Sequence, residues 1–296
     1  MRKLIFLIII ILIFTTSLFS QNKNSSGTDW TKVDDVFGRK GTILGEVYKI
    51  TFPRSDLDVK VDNIKVEAGL ALTSWAAFIE MGGGSMVMGD LVLTEDELPL
   101  VTKKLSESGI LITGIHNHII RETPAIKYLH YSGMGDAVTL AADLKSALDM
   151  TGTLQNTIQI KTTKNEPDWT SVEKTLGYKG TRKGDLLLIG IPRADKIMEM
   201  GIEIPPTMGM ATTVNFQKVE DKAFVTGDFV LTAGEVNPVI KELSQSGITV
   251  TALHNHMLDE SPRIFFMHYW GYDNPDNLAA GLRKALDKTN SVKNND

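Results

Sequence analysis

The sequence contains no cysteine in 296 residues, and it has only six histidines and ten prolines. Without cysteine the protein has no disulfide, no thiol nucleophile and no cysteine that could carry a lipid anchor. The sequence also has no excess of basic residues, because it contains 31 Lys and Arg and 36 Asp and Glu, which gives a net charge of −5. An acidic chain is a poor partner for nucleic acid, so the composition argues against nucleic-acid binding.

A long apolar run occurs only at the start of the chain. Arg2 and Lys3 precede the apolar residues 4–14, and small polar residues follow. This order is typical of a secretory signal peptide, and the run is shorter than the about 20 residues of a membrane-spanning helix. We therefore predict that residues 1–20 are cleaved before Gln21. The mature chain would carry 29 basic and 36 acidic residues, a net charge of −7, and would be periplasmic or secreted and free of the membrane.

The chain repeats itself at an offset of 138 or 139 residues. GDLVLTEDELPLVTKKLSESGI at residues 89–110 matches GDFVLTAGEVNPVIKELSQSGI at residues 227–248, and LAADLKSALD matches LAAGLRKALD further along. Such a period indicates an internal duplication. The sequence thus predicts a signal peptide (1–20), a first repeat (21–150), a polar linker (151–167), a second repeat (168–290) and a polar tail (291–296).

Each repeat has the signals of mixed helix and strand. TILGEVYKITF and LALTSWAAFIE have the β-branched and aromatic content of strands, whereas LTEDELPLVTKKLSESG has an early Thr, acidic residues in its first turn and a closing Gly. The latter are the start and stop signals of a helix. The predicted fold class is α+β, with two fused pseudo-symmetric halves, each with strands followed by a β-α-β-β-α unit.

All the histidines lie in two copies of one pattern, HNHIIRETPAIKYLH at residues 116–130 and HNHMLDESPRIFFMH at residues 254–268. Residues two apart on a strand point to one face, and an antiparallel return strand would bring the third histidine back beside them. Three imidazoles with an open position are typical of a catalytic zinc site, and iron, manganese and copper are alternatives. The predicted metal ligands are His254, His256, His268, His116, His118 and His130. The alternative is a structural role, because duplication copies residues whether or not they function.

Two glutamates and three arginines complete the candidate site. Glu122 and Glu260 lie four residues after the second histidine of each copy, where each could be a fourth ligand, orient an imidazole or act as a general base. The spacing is also similar to the first half of a cupin metal motif, which makes the cupin a minor alternative for the fold. Arg54, Arg193 and Arg263 are weaker candidates for binding an anionic substrate. For Arg54 and Arg193, capping a neighbouring acid is at least as good an interpretation.

The chain resembles the LppY/LpqO-type family, a bacterial domain of unknown function named after mycobacterial lipoproteins. The resemblance rests on SWAAF (74–78), GDLVL and GDFVL, EVNPVI (235–240), ALHNHMLDESPRIFFMHYWG (252–271) and LAAGLRKALD. It covers nearly all of the mature chain and implies no particular activity or substrate. The absence of cysteine departs from the lipoprotein label, so an anchored location does not carry over.

These observations predict an exported metal-dependent enzyme of the hydrolytic class, acting on a small molecule or an extracellular polymer. The alternative is a non-catalytic metal- or ligand-binding periplasmic protein. A site with an open coordination position favours the enzyme, and a site closed by four or more protein ligands favours binding. The second repeat is slightly preferred as the active one, because Arg263, Phe266 and Trp270 could wall a pocket. No oligomeric state is predicted.

Overall fold

A computed structural model describes residues 27–153 and 166–293 of the chain. The predicted signal peptide, most of the predicted linker and the last three residues lie outside this part. Within the described ranges, no helix combines the length and the hydropathy needed to cross a membrane.

The first repeat consists of one six-stranded sheet, four helices and a small three-stranded sheet. The large sheet has the strand order β1-β2-β5-β6-β9-β7, and all its pairs are antiparallel. Along the chain the elements are α1 (Trp30–Phe37), β1 (Thr42–Leu44), β2 (Val47–Pro53), β3 (Lys60–Val61), β4 (Ile64–Lys65), α2 (Ala68–Ala71), β5 (Thr73–Met81), β6 (Gly84–Thr94), α3 (Glu97–Glu107), β7 (Leu111–His116), β8 (Glu122–Thr123), β9 (Ile126–Gly135) and α4 (Ala137–Leu148).

The second repeat has the same order of elements, with a 3-10 helix at Pro206–Met208 in the place of α2. Its large sheet runs β10-β11-β14-β15-β18-β16, which is the order of the first sheet strand for strand. The elements are α5 (Thr170–Leu176), β10 (Thr181–Lys183), β11 (Leu186–Pro192), β12 (Met198–Glu199), β13 (Ile202–Glu203), β14 (Ala211–Val219), β15 (Lys222–Thr232), α6 (Ala233–Gln245), β16 (Thr249–His254), β17 (Glu260–Ser261), β18 (Ile264–Asp273) and α7 (Pro275–Leu286). The predicted α+β class with two pseudo-symmetric halves is confirmed.

The predicted start signal of the helix after GDLVL and GDFVL takes the form of a reciprocal pair of hydrogen bonds. Thr94 N–H donates to Glu97 Oε2 at 2.9 Å, and Glu97 N–H donates to Thr94 Oγ1 at 3.3 Å. Thr232 and Glu235 form the same capping box in the second repeat, which satisfies N–H groups that the helix itself leaves unpaired. The strand content predicted for TILGEVYKITF is confirmed, and Gly45, with φ of 67°, forms the turn between strands β1 and β2 of a hairpin.

Helices cover one face of each large sheet. Alternate residues of a strand point to opposite faces, and in β6 Leu91 and Leu93 join the apolar cluster that contains the helices of the first repeat. Asp90 and Val92 lie at the alternate positions of the strand and therefore face the other way. The second repeat has a matching helix-covered cluster. The faces that the helices leave free are called the inner faces.

The two inner faces are turned toward each other, and an arm of each repeat reaches across to the other sheet. The first arm is residues 54–72 and the second arm is residues 193–210. Each of two apolar clusters contains buried residues from both repeats. Across this interface the Gln217 amide accepts from Glu67 N–H at 2.8 Å and donates to the Lys65 carbonyl oxygen at 2.8 Å. The layers are therefore helix, sheet, sheet and helix, with the two inner faces in the middle.

Candidate metal centre

The register of two neighbouring strands brings the histidines of each repeat together. His116 ends β7, and His130 on β9 lies opposite Gly114, two residues before His116, so both side chains share the inner face. His118 follows in the loop, and the ring centroids of His118 and His130 lie 5.1 Å and 4.8 Å from that of His116. In the second repeat the His256 and His268 rings each lie 4.9 Å from the His254 ring. The predicted convergence of three imidazoles therefore occurs in both repeats.

The two triplets form one histidine cluster at the centre of the molecule. The structure pairs rings from opposite repeats at centroid distances of 3.5 to 3.7 Å: His116 with His254, His118 with His268 and His130 with His256. The pairing follows a pseudo-two-fold axis, because exchanging the repeats converts the second pair into the third. Sequence reasoning anticipated one site per repeat and did not foresee this shared centre.

The backbones of the two repeats approach closely beside the cluster. A Cβ atom at Gly114 would lie 2.8 Å from the carbonyl oxygen of Asn255, which is closer than carbon and oxygen normally pack. The Thr251 hydroxyl donates to the His118 carbonyl oxygen at 2.7 Å across the same contact. Glycine at position 114 thus permits the approach that places the two histidine triplets together.

Backbone carbonyls select the tautomer of two imidazoles. His268 Nδ1 lies 2.9 Å from the Gly227 carbonyl oxygen, and His130 Nδ1 lies 3.3 Å from that of Gly89. A carbonyl oxygen only accepts, so each Nδ1 carries the proton and each Nε2 keeps its lone pair. Among the described residues, the Nε2 atoms of all six histidines are buried and have no hydrogen-bond partner. A buried nitrogen atom without a hydrogen-bond partner lowers the stability of the fold. A metal cation would serve as the partner of the nitrogen lone pairs that it binds.

Two aspartates that the sequence analysis did not single out face the cluster. Asp90 lies directly opposite His130 in the sheet, and Asp228 lies opposite His268. An oxygen of Asp228 is 3.3 Å from His256 Nε2, and an oxygen of Asp90 is 3.4 Å from His118 Nε2. The signal was present in the sequence, because GDLVL and GDFVL place a charged residue at the same position of two otherwise apolar strands.

Burial sets the protonation of this centre. It lowers the pKa of His116 to about 2 and that of His268 to about 4, and it lowers the pKa of the other four imidazoles as well. Burial raises the pKa of Asp228 to about 6, and burial together with the charge of Asp228 raises that of Asp90 well above its usual range. The imidazoles are therefore neutral at neutral pH, so their contacts with the aspartates are not ion pairs. Neutral imidazole is the form that binds a metal.

The eight side chains offer several overlapping sets of ligands. Within each set the possible ligand atoms lie within 4.8 Å of one another, and two of the four sets combine both repeats. Nitrogen and oxygen donors without sulfur suit zinc, iron, manganese and copper. The sets are His116, His130, His254 and His256; Asp228, His254, His256 and His268; His116, His118 and His268; and Asp90, His118 and His130.

The two predicted glutamates belong to none of these sets. Glu260 accepts from the Ile264 N–H at 3.2 Å and pairs with Arg263 at 3.1 Å. Glu122 accepts from the Ile126 N–H at 3.2 Å. Both carboxylates therefore brace the loop that joins the histidine-bearing strands. Their role as general bases stays a prediction.

The arginines Arg54 and Arg193 are buried and bonded to the chain itself. Arg54 donates to Asp56, to Glu97 and to the Val92 carbonyl oxygen. Arg193 makes the equivalent contacts with Asp195, Glu235 and the Val230 carbonyl oxygen. These bonds favour the capping interpretation over binding of an anionic substrate. Arg263 is half-exposed and pairs with Glu260.

An inner cavity of about 220 Å³ adjoins the histidine cluster. Its wall includes both aspartates and four of the histidines, and the other lining residues include Lys49, Trp75 and Asn215. A second space, the outer pocket, has a volume of about 600 Å³ and is lined by residues of the first arm and of β2 and β11. The ligand sets are thus accessible from a space that can hold a small molecule.

The fold and the site define a class of protein, a duplicated α+β chain whose two sheets enclose one histidine-rich centre. The chain belongs to the family described as Domain of Unknown Function (DUF1259), whose profile matches residues 31–150 and again residues 170–288. No curated protein matches the sequence. Among solved structures, the crystal structure of a trimeric bacterial microcompartment shell protein PduB is similar at 14% identity and a TM-score of 0.22, over 86% of this chain and 95% of that one. A TM-score this low does not establish a common fold.

Proposed function

We propose that the histidine cluster binds divalent metal and that the protein is an exported metal-dependent hydrolase whose centre is built by both repeats. The observation that carries the proposal is the set of six buried Nε2 atoms without a hydrogen-bond partner among the described residues. Burying so many polar nitrogen atoms without hydrogen bonds is costly, and a bound cation would offset that cost. Zinc is the first expectation, followed by iron, manganese and copper.

Catalysis is favoured over metal storage by the inner cavity, because a small molecule there would lie against the ligand side chains. A bound divalent ion supplies a water whose pKa falls to about 7. Asp228 and Asp90 are carboxylates beside the cluster, and each shares a possible ligand set with histidines. Glu122 and Glu260 remain the predicted acid–base groups of the connecting loops.

A non-catalytic metal-binding protein is the second candidate. It is favoured by the two sets that contain four side chains, because four protein ligands fill the coordination of a tetrahedral ion. Export to the periplasm or the exterior suits both candidates and rests on the order of residues 1–20. The LppY/LpqO-type resemblance names no activity and so favours neither candidate.

Two measurements on the full mature chain test the proposal. The protein is loaded with zinc, iron, manganese or copper in turn, dialysed, and analysed for metal by mass spectrometry, and we expect at least one ion to be retained. The cobalt(II)-substituted protein is then titrated with azide, and we expect the visible spectrum to change because an open coordination position accepts the anion. Retention without a spectral change would favour the non-catalytic candidate. Retention of none of the four metals would return the histidines to a structural role.

A further inference from the structure

The inner cavity and the outer pocket are neighbours and share part of their lining. Both are lined by Lys49, Gly69, Thr73, Trp75 and Asn215. The volume of the outer pocket, about 600 Å³, lies within the about 300–1,000 Å³ usual for small-molecule sites. A ligand in the outer pocket would therefore lie against residues that also line the inner cavity beside the histidine cluster.

Lys49 lies at the junction of the two spaces. Its Nζ donates to the Thr207 carbonyl oxygen at 3.1 Å and lies 4.1 Å from the centroid of the Trp75 ring. An ammonium group has three N–H donors, and the hydrogen bonds of the described residues use one of them. Burial lowers the pKa of Lys49 to about 8, although the negative charge of Asp90 acts to raise it. At pH 7 most molecules therefore carry Lys49 in its charged form. A cation with unused donors therefore lies in the wall that the two spaces share.

The duplication provides an internal comparison for this charge. The histidines and aspartates of the cluster occur in both repeats, whereas the three lysines of the pocket are not repeated at the equivalent positions. Lys49 on β2 aligns with Leu188 on β11, and Lys65 on β4 aligns with Glu203 on β13. Lys183 on β10 aligns with Leu44 on β1.

The outer pocket carries a small net positive charge. With the acids Glu67 and Asp185, the three pocket lysines leave a net charge of +1. In a chain whose net charge is −5, the outer pocket is a local basic site.

We propose that this pocket binds a small organic anion, with its carboxylate or phosphate group on Lys49 and its remaining part reaching into the inner cavity. The inference rests on the proposed function, because it places the ligand against a metal held by the histidine cluster. Lysine binds phosphate and carboxylate as a point charge, and partial burial strengthens the attraction because the surroundings screen it less than water does. The sheltered position of Lys49 thus makes it the main anion-binding group, with Lys65 and Lys183 attracting the ligand from the rim.

The test is calorimetric titration of the metal-loaded full chain with inorganic phosphate and, separately, with succinate. We expect one of these anions to bind, which also distinguishes a phosphate ligand from a carboxylate. Lys49→Met should weaken that binding by about tenfold or more, the usual effect of losing a hydrogen bond to a charged group. Lys49→Arg should restore most of the affinity. The exposed Lys40 supplies the control, because Lys40→Met changes the net charge equally and should leave the affinity unchanged.

A second variant avoids any change in the interior. The double substitution Lys65→Glu and Lys183→Leu introduces at two exposed positions the residues that the other repeat already carries, and it should weaken anion binding by a smaller factor. Equal affinity of the wild type and Lys49→Met would overturn the inference, as would the failure of both anions to bind the wild type. Metal content is measured in every variant. If the wild type retains no metal, the proposed function fails, whereas titration of the metal-free chain still decides the role of Lys49.

Discussion

His116 and His254 occupy equivalent positions in the two repeats, and their imidazole rings stack with centroids 3.5 Å apart. Each residue ends the edge strand of its own sheet. The pseudo-two-fold axis therefore passes between two histidines, so the histidine cluster lies at the interface of the repeats.

A shared centre predicts that a histidine substitution in one repeat affects metal binding by the whole chain. We expect His256→Ala to lower metal affinity by at least about tenfold, since losing even an indirect partner of a ligand typically costs about 10–100-fold. We expect His116→Ala to have a similar effect, because His116 joins His254 and His256 in one ligand set. Competition with a chromophoric chelator measures both. Normal affinity in His116→Ala would show that the second repeat binds metal alone.

The two kinds of carboxylate can be separated. Asp228→Asn should lose metal, because Asp228 shares a ligand set with three histidines. Glu260→Gln should retain metal, and if Glu260 acts as the general base, it should lower turnover by about 10²–10⁴-fold. Metal analysis and a panel of chromogenic esters and phosphoesters provide the two readouts. Full turnover in Glu260→Gln would exclude Glu260 from the catalytic residues.

The metal-free protein should lose stability in mild acid. The folded-state pKa of all six histidines is lowered, so below the unfolded value of about 6.5 the unfolded chain binds more protons and the free energy of unfolding falls. The raised pKa of Asp228 acts in the opposite direction between about pH 4 and 6, and the raised pKa of Asp90 acts in that same opposite direction from about pH 4 upward, but they are two groups against six. The urea midpoint of the chelator-treated protein should therefore be lower at pH 5.5 than at pH 8. An unchanged midpoint would contradict the neutral, buried state of the histidines.

Arg54 should matter for stability and not for the metal. Its side chain is 1% exposed and pairs with Asp56 and Glu97, so Arg54→Met would leave partly buried carboxylates without their cation. Removing one partner of a buried ion pair costs about 3–5 kcal/mol, and urea unfolding measures the loss. The exposed Lys60–Asp58 pair gives the control, since Lys60→Met should cost at most about 1 kcal/mol. Unchanged stability together with weaker anion binding would revive the predicted substrate-binding role of Arg54.

The precursor should be processed on export. The basic start, the apolar run and the small polar residues that follow predict a mature chain beginning at Gln21. Mass spectrometry of the protein recovered from the periplasm or the medium gives the first residue. Recovery of a membrane-bound chain that still contains Met1 or Arg2 would exclude cleavage.

Much of this protein could be predicted from the sequence because the deciding signals are local. The duplication follows from the match of the two halves at an offset of 138 or 139 residues. The β-α-β-β-α order and the convergence of His116, His118 and His130 follow from strand period and helix caps. The pairing of one repeat with the other does not follow, because it depends on how two inner faces and two arms bury apolar side chains that are distant along the sequence.

The same reason explains which site residues the sequence left unnoticed. Asp90 and Asp228 read as isolated charges in apolar strands, and only the strand register places them opposite His130 and His268. Lys49 has no basic counterpart in the second repeat, so comparison of the repeats pointed away from it. The sequence by itself determined the donor atoms and the strands that carry them. The tertiary structure decided which of these donor atoms lie close together, because the packing of the two sheets brings the donors of both repeats into one buried cluster.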